Sequence, residues 1–190
     1  MRVYGLTGGI ASGKTEAARR FAAGGIPVID ADEAGHDAIA PGGAAEAAVL
    51  AAFGPDVCAH GRIDRDKLGA LVFRDAGARA RLNAIVHPVI IEAVSRRCAQ
   101  LADDGAENVI VEAALLGEHG VKDPWLGGLI LVLSPATVRA QRLMATRGLS
   151  EEEAWRRITA QTPPESKRNI ADWVLENDGD IAALHAQVDA

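Results

Sequence analysis

A glycine-rich segment near the start of the chain has the residue types and spacing that bind a polyphosphate. Gly8, Gly13, Lys14 and Thr15 fit the pattern of glycine, four residues, glycine, lysine, and serine or threonine. Successive backbone N–H groups can wrap a phosphate only where side chains do not block the approach, which explains the glycines. The pattern predicts a nucleotide phosphate site. The alternative is a glycine-rich turn that only joins a strand to a helix.

The residues of this loop have separate predicted roles. Lys14 supplies a mobile positive charge to the β- and γ-phosphates, and the Thr15 hydroxyl supplies an oxygen ligand to Mg²⁺. The helix that starts at Lys14 points the positive end of its dipole at the phosphates. The predicted nucleotide-binding residues here are Gly8, Gly9, Ile10, Ala11, Ser12, Gly13, Lys14, Thr15 and Glu16.

Acidic residues follow two of the predicted strands. Asp30 and Asp32 come after the apolar run Ile26–Ile29, and Glu112 comes after Asn108–Val111. Because ligands bind at the carboxyl ends of parallel strands, these carboxylates are expected on the same edge as the phosphate loop. We expect one of the two aspartates to cap the next helix, and the other is a candidate base or Mg²⁺ partner. Glu112 is either a water-mediated Mg²⁺ partner or an ordinary exposed carboxylate.

Five short apolar runs alternate with helical patterns, which predicts an α/β fold. Such alternation gives a five-stranded parallel sheet with helices on both faces. The predicted strands are Arg2–Leu6, Ile26–Ile29, Asn108–Val111, Leu129–Leu133 and Ala171–Leu175. The predicted helices of this core and its lid are Lys14–Ala23, Glu33–Ala40, Ala136–Thr146, Glu151–Gln161 and Asp180–Val188.

The stretch of about 41–104 is too long for one crossover between parallel strands and predicts an inserted helical domain. The core is then residues 1–40, 105–140 and 170–190, with a lid over about 141–169. The predicted helices of the insertion are Ala44–Phe53, Lys67–Phe73, Asp75–Val86 and Val89–Ala102, with a connector over Gly54–Gly61. His87 precedes a proline, which disfavours helix at that residue. From the residues alone, His87 is interpreted as a buried histidine at a helix break.

Basic residues are dense after the fourth predicted strand. Two short helices that join at Gly148 and are rich in arginine are typical of a lid that closes over a triphosphate. Guanidinium groups bind phosphate oxygens bidentately, and the alternative is a solvated basic helix face. The cations of this region are Arg139, Arg142, Arg147, Arg156, Arg157, Lys167 and Arg168. Asn177, in a polar turn after the last strand, either hydrogen-bonds a base edge or only supplies the turn.

The composition argues against several classes of protein. The chain has 190 residues and a net charge of −6, with scattered basic residues, which argues against a general nucleic-acid binder. The longest apolar run, around Leu126–Leu133, is too short to span a membrane, and we expect no signal peptide. Cys58 and Cys98 form no CxxC, which favours reduced thiols and a cytoplasmic location. We expect a monomer or a weak homo-oligomer, although no apolar stripe in the sequence identifies a subunit interface.

Together these residues resemble the dephospho-coenzyme A kinase family. The resemblance runs from Arg2 to about Gly179, and its most specific part is the loop combined with Asp30-Ala31-Asp32 and His87-Pro88 in that order. The remaining segments that carry it are Leu82–Val86, Ala113–Leu116, Arg142-Leu143, Arg147–Ser150, Arg157-Ile158, Gln161, Ala171-Asp172 and Asn177–Gly179.

The resemblance implies a P-loop kinase that uses ATP and Mg²⁺ to phosphorylate the 3′-hydroxyl of dephospho-coenzyme A, the last step of coenzyme A synthesis. It implies that Asp32 is the general base on that hydroxyl and contacts the acceptor. It also implies that Arg142 and Arg147 are catalytic arginines of the lid region. Asn177 lies where the family holds the adenine of ATP, and His87 lies in the domain that receives the acceptor.

The sequence departs from the family's pattern at several positions. Ala11 stands where the loop usually has glycine, so the backbone there must accept a Cβ. Glu16 replaces a usual hydroxyl residue, and Glu112 replaces the family's aspartate. In the lid, Thr146 stands where many members have arginine, and Arg147 where they have aspartate.

Two other functions stay open from the sequence. One is another P-loop kinase that acts on a nucleoside, nucleotide or sugar. The other is a nucleotide-binding regulator without catalysis, which would be favoured if Lys14 or Asp32 were missing, whereas both are present. A GTPase switch would need a guanine-binding Asn-Lys-x-Asp motif after a late strand, and the sequence has none.

Overall fold

A computed structural model describes residues 1–117 and 120–190. The strands are β1 (Arg2–Gly8), β2 (Val28–Asp30), β3 (Cys58–Ala59), β4 (Arg62–Ile63), β5 (Asn108–Glu112), β6 (Gly128–Leu133) and β7 (Trp173–Glu176). The helices are α1 (Lys14–Ala23), α2 (Ala31–Ala38), α3 (Glu46–Phe53), α4 (Arg65–Arg74), α5 (Ala76–Asp103), α6 (Ala136–Arg147), α7 (Glu151–Thr159) and α8 (Ile181–Asp189). Short 3-10 helices cover Pro55–Val57 and Pro164–Lys167. Within the described ranges, no helix is both long and apolar enough to cross a bilayer.

The chain forms two compact units, one of residues 1–30 and 100–190 and one of residues 31–99. The first unit contains a five-stranded sheet in the order β2-β5-β1-β6-β7, and every pair of neighbours is parallel. The predicted five-stranded parallel sheet is therefore confirmed. The predicted and observed strands overlap in all five cases and differ only at their ends.

The apolar runs that predicted the strands form the core of the first unit. On one face of the sheet, Ala17 and Ala18 of α1 and Leu184 of α8 pack against Leu6 and Leu175. All six residues of β6 are buried, so this strand is covered on both faces. A continuous apolar sequence is what a strand buried on both faces requires.

The parallel register brings the carboxyl ends of the strands to one edge of the sheet. Asp30 pairs with Glu112 across β2 and β5, and Gly8 pairs with Val132 across β1 and β6. β7 ends at the same edge and is followed by Asn177. The glycine loop, Glu112 and Asn177 therefore meet at the edge where parallel sheets bind ligands.

The second unit has its own apolar core. Buried side chains from α3, α4, α5 and the first 3-10 helix form it, namely Val49, Leu68, Val86 and Val57. The predicted connector Gly54–Gly61 is more structured than expected, because it contains the 3-10 helix and one strand of the antiparallel hairpin β3–β4.

The predicted helix break at His87-Pro88 is wrong. α5 is one helix of 28 residues with Pro88 inside it. A proline inside a helix removes one hydrogen bond and crowds the preceding turn. Apolar side chains on both sides of Pro88, including Val86 and Val89, pack against the core of the second unit. This burial outweighs the local cost of the proline, so the helix continues.

Replacement of Pro88 by alanine tests this balance. Pro88→Ala restores the missing backbone N–H, and we expect the free energy of unfolding to rise by about 1–3 kcal/mol. Urea unfolding followed by circular dichroism measures this change. The control is His87→Ala, which alters the exposed neighbour and keeps the proline. A neutral or destabilising Pro88→Ala would show that the packing of α5 requires the geometry that proline imposes.

Candidate active site

The glycine loop joins the central strand of the sheet to α1. β1 ends at Gly8 and α1 begins at Lys14, with Gly13 at the N-cap position. The Gly13 carbonyl accepts the N–H groups of Glu16 and Ala17, both at 3.0 Å, and so starts the helix. The N–H groups of Lys14 and Thr15 belong to the first turn and have no acceptor within the helix. This is the strand–loop–helix context that a phosphate loop requires.

The loop turns through two left-handed residues. Ala11 has a φ of 57° and Gly13 a φ of 97°, and the Ser12 N–H donates to the Gly9 carbonyl at 3.1 Å. Left-handed backbone costs an L-residue roughly 1–2 kcal/mol, so Ala11 is strained where a glycine would not be. A Cβ at Gly13 would lie 2.0 Å from Asn177 Nδ2, so packing as well as backbone conformation requires glycine there.

Glu112 is buried beside the loop. Its Oε1 accepts hydrogen bonds from Lys14 Nζ at 2.8 Å and from Thr15 Oγ1 at 3.0 Å. Because Glu112 is only 3% exposed, its interpretation as an ordinary exposed carboxylate is wrong. A charge this buried needs a partner, and the Lys14 ammonium is that partner. The structure thus brings the lysine, the hydroxyl and the carboxylate of the predicted site together.

Asn177 and Arg142 hold the carbonyl side of the loop. Asn177 Nδ2 donates to the Ser12 carbonyl at 2.7 Å, and Asn177 Oδ1 accepts from Arg142 Nη2 at 3.0 Å. Arg142 Nη1 lies 3.4 Å from the carbonyl oxygens of both Ala11 and Ser12. In a trans peptide the C=O and N–H groups point in opposite directions. The Gly13 N–H therefore points away from Asn177, as a phosphate-binding amide must.

The helix pair α6–α7 contacts the other side of the loop. The Ile10 N–H donates to Gln161 Oε1 at 2.7 Å. Ile10 and Ala11 also pack against an apolar cluster between the two helices, formed by Ala140, Leu143, Ala154 and Ile158. The loop is thus held by one polar contact and one apolar surface of the region that the sequence predicts as a lid.

Two cations of that region are buried rather than solvated. Arg139 is 3% exposed and Lys167 is 4% exposed, so the interpretation of a solvated basic face is wrong for both. Lys167 Nζ donates to the Ala114 carbonyl at 2.8 Å and to Thr7 Oγ1 at 3.3 Å. Thr7 directly precedes the loop, so Lys167 ties the second 3-10 helix to the end of β1.

Arg139 lies against Gly9 of the loop. Its Nε donates to the Ser134 carbonyl at 3.1 Å, while its Nη1 finds no acceptor among residues 1–117 and 120–190. Burial lowers the pKa of the Arg139 guanidinium from its ordinary value, and the charge of Glu165 opposes this shift. A Cβ at Gly9 would lie 2.7 Å from Arg139 Nη1, so the guanidinium occupies the space that glycine leaves open.

Two other predicted residues of the first unit, Arg147 and Glu16, have different surroundings. Arg147 is exposed at the last residue of α6. The Glu16 carboxylate accepts from His185 Nε2 at 2.8 Å and from Arg19 Nη1 at 3.1 Å. The hydrogen bond with His185, followed by that from Arg19, lowers the pKa of Glu16. The side chain of Glu16 thus contacts α8 and the next turn of α1, and its backbone lies in the first turn of α1.

Asp32 and His87 belong to the second unit. α2 begins at Ala31, directly after β2, so the predicted start at Glu33 is wrong and Asp32 lies in the first turn instead of capping it. The Asp32 side chain is exposed. His87 is also exposed, on the continuous helix α5, so its interpretation as a buried histidine at a helix break is wrong.

The residues that sequence reasoning missed are those that support the loop from a distance. Gln161 had a signal only as part of the family resemblance, and Arg139 and Lys167 only as members of a basic region. Nothing in the local sequence indicates that these side chains are buried, because their partners lie far away along the chain.

Within the described residues, no group of three or more His, Cys, Asp or Glu side chains could hold a metal ion.

Comparison with known proteins assigns the chain to a family. The family model described as CoaE, Dephospho-CoA kinase, matches residues 2–183. A protein named Dephospho-CoA kinase from Geobacillus kaustophilus is 42% identical over 176 residues, which cover 92% of this chain and 87% of that protein.

Solved structures agree with this match. The crystal structure of TT1252 from Thermus thermophilus has a TM-score of 0.85 and 35% identity, and the match covers 99% of this chain and 94% of that one. A dephospho-CoA kinase from Campylobacter jejuni has a TM-score of 0.61 and 25% identity, again over 99% of this chain and 94% of the other.

The strain at Ala11 gives a stability prediction. Ala11→Gly relieves the strain of a Cβ on a left-handed residue, and it also raises the entropy of the unfolded chain. Because the two effects oppose each other, we expect the free energy of unfolding to stay the same or to rise by up to about 1 kcal/mol. Ala186→Gly is the matched control, because Ala186 is exposed in α8 and the same change there should cost about 1 kcal/mol. Denaturant unfolding of both variants measures the contrast. Equal losses in the two variants would show that Ala11 carries no strain.

Proposed function

This chain belongs to the dephospho-CoA kinase family, and on that premise we propose how its residues transfer the γ-phosphoryl group of ATP to dephospho-CoA. In the reaction the ribose 3′-hydroxyl attacks the γ-phosphorus, the new O–P bond forms, and the bond between the γ-phosphorus and the bridging oxygen of ADP breaks. The observation that carries the proposal is the glycine loop at the end of β1 with Lys14, Thr15 and Glu112 in contact. Phosphoryl transfer of this kind depends mainly on positioning and charge stabilisation.

The loop and the start of α1 bind the triphosphate in this proposal. The amides of Gly13, Lys14 and Thr15 donate to phosphate oxygens, since the positive end of the α1 dipole lies there. Lys14 exchanges its contact with Glu112 for the β- and γ-phosphates. Binding of ATP thereby replaces one buried anion next to the ammonium with another.

Thr15 and Glu112 fit an Mg²⁺ ion. Both offer hard oxygen atoms, and the hydrogen bond of 3.0 Å between them brings these oxygens to one place beside the loop. Mg²⁺ in nucleotide sites uses one or two protein oxygens together with substrate phosphates and water. When bound, the ion neutralises charge on the phosphates. Glu112, which replaces the family's aspartate, would serve it through water.

Asp32 is the proposed general base for the 3′-hydroxyl. Asp30 pairs with Glu112 at the edge of the sheet, and Asp32 follows two residues later, a span of at most about 7 Å along the chain. The Asp32 side chain is exposed, and a carboxylate within hydrogen-bond reach of a hydroxyl can accept the proton that the hydroxyl loses. The proton then leaves the attacking oxygen for the Asp32 carboxylate.

We divide the predicted lid arginines by their contacts. Arg142 is a positioning residue, because its guanidinium contacts loop carbonyls and Asn177. Arg147, exposed at the end of α6, remains a candidate contact for the transferred phosphoryl group. The Asn177 side chain supports the loop, and from the family resemblance the same residue borders the adenine of ATP.

The second unit is proposed to receive the acceptor. A cleft of about 470 Å³ lies within it, a size typical of small-molecule sites. Its lining mixes acidic, basic and apolar side chains, including Asp64, Arg65, Asp66 and Leu68. His87 is proposed to contact the acceptor from α5.

A cytoplasmic location and a monomer or weak homo-oligomer complete the proposal. Cys58 and Cys98 are both free thiols, which favours a reducing compartment. No partner other than small molecules is required, and no nucleic-acid or membrane partner is proposed for a chain of net charge −6.

An acceptor assay tests the function directly. Purified protein with Mg²⁺ and ATP is expected to release ADP only when dephospho-CoA is added, with an equal amount of CoA formed. Adenosine and AMP serve as control acceptors. Release with a control acceptor would favour another P-loop kinase, and no release despite ATP binding would favour a regulator.

Lys14→Ala provides the catalytic control for this assay. We expect turnover to fall by several orders of magnitude with the fold intact, because the charge on the transferred group loses its nearest cation. Arg19→Ala, on the exposed side of the same helix, should leave turnover near that of the wild type. A near-normal rate for Lys14→Ala would remove the phosphate-loop assignment.

Asp32→Asn tests the proposed base. We expect turnover at saturating substrates to fall by about a hundredfold or more while ATP affinity stays the same. Asp37→Asn, an exposed carboxylate on the same helix, is the matched control. If ATP affinity fell and saturated turnover did not, Asp32 would be a structural residue or a metal partner.

A further inference from the structure

Gln161 is a polar residue of the α6–α7 region that hydrogen-bonds the phosphate loop. Its Oε1 accepts the Ile10 N–H at 2.7 Å in a partly buried contact. The Gln161 backbone is itself fixed just after α7, where its N–H donates to the Ile158 carbonyl at 3.3 Å. The acceptor that faces the loop is therefore attached to a packed helix and not to a free surface segment.

The Ile10 N–H belongs to a peptide unit that is held at both ends. The carbonyl of this unit is that of Gly9, which accepts the Ser12 N–H at 3.1 Å. The C=O and N–H groups of one peptide lie in one plane and point in opposite directions. The two hydrogen bonds therefore fix the orientation of the plane. A flip would break both bonds and reverse the peptide dipole within a loop whose function depends on where its dipoles point.

Gly9 makes such a flip easy unless something outside the loop prevents it. A glycine gives the backbone access to many conformations at little cost. A larger residue at Gly9 would force its neighbours to move, since a Cβ there would lie 2.7 Å from Arg139 Nη1 and 3.2 Å from Pro164 Cγ. Packing thus favours the flexible residue, and the hydrogen bond that the Ile10 N–H donates to Gln161 Oε1 supplies the restraint that glycine lacks.

The next residues of the loop need the same support. Ala11 stays left-handed only because its surroundings hold it there, and a strained residue persists when several contacts fix it together. Ile10 and Ala11 pack on the apolar cluster between α6 and α7, and Gln161 follows directly from that helix pair. The apolar contact fixes the position of these residues, whereas Gln161 fixes the direction of the peptide.

We propose that Gln161 is a positioning residue for the phosphate loop, which holds the Gly9–Ile10 peptide in the orientation that binds ATP before ATP arrives. It acts through the Ile10 amide and does not touch the substrate. The inference rests on the proposed function in one respect, that the loop binds the phosphates of ATP. Removal of the Gln161 side chain should reduce the fraction of free protein whose loop is ready to bind ATP. The affinity for ATP should therefore fall more than turnover at saturating ATP.

Gln161→Met tests this proposal, because methionine has a similar length and no strong acceptor. Gln161→Ala is the second variant, and Gln141→Met is the matched control, since Gln141 is exposed on α6. Calorimetry measures the dissociation constant of ATP, and the acceptor assay measures turnover at saturating ATP. Thermal unfolding measures the integrity of the fold. We expect both Gln161 variants to bind ATP about tenfold more weakly, which corresponds to the loss of one partly buried hydrogen bond. Turnover at saturation should change less than about threefold, and Gln141→Met should match the wild type.

Unchanged ATP affinity in the Gln161 variants would overturn the proposal. So would a fall in saturated turnover at constant affinity, or an equal loss in Gln141→Met. If the wild type binds ATP without phosphorylating dephospho-CoA, the proposed acceptor fails while the affinity comparison still decides the role of Gln161. A wild type that binds no ATP would overturn the phosphate site and this inference with it.

Discussion

The structure depends on one constraint: a loop that binds an anion with backbone N–H groups must have its other polar groups satisfied from outside. Every carbonyl that turns away from the ligand needs a donor, because buried unpaired groups are costly. Ser12 O has Asn177 and Arg142, and the Gly9–Ile10 peptide has Ser12 and Gln161. These partners come from α6, from the end of α7 and from the turn after β7. Three side chains from the second half of the chain, those of Arg142, Gln161 and Asn177, therefore hold the loop in the first half.

The contact between Lys14 and Glu112 sets the electrostatics of the same edge. Burial strengthens the attraction between the two groups but removes both from water, so the pair contributes little net stability. Its value lies in keeping an ammonium beside the loop without an uncompensated charge. Glu112 also accepts from Thr15, so one carboxylate oxygen contacts the side chains of both Lys14 and Thr15. The glutamate side chain, longer than the family's aspartate, reaches Lys14 and Thr15 directly from the end of β5.

The parts of this arrangement that the sequence could predict are those that depend on local pattern. The phosphate loop, the five strands and the place of Glu112 at a strand end follow from spacing and apolar runs, which short segments carry in full. The continuity of α5 through Pro88 could not be predicted in this way, since the packing of the flanking residues overrides the tendency of proline to break a helix. The burial of Arg139 and Lys167 could not be predicted from local pattern either. A charge run looks the same in sequence whether it faces water or a loop more than a hundred residues away.

The buried cations also explain how an acidic protein can bind a polyanion. The net charge of −6 acts mostly through exposed groups, which salt screens within about 10 Å. Arg139 and Lys167 are nearly excluded from water, so their charges are screened far less and act on the loop at short range. The total charge of the chain therefore does not determine the charge close to the loop. For this reason an acidic composition argues against a broad nucleic-acid surface and is compatible with a triphosphate site.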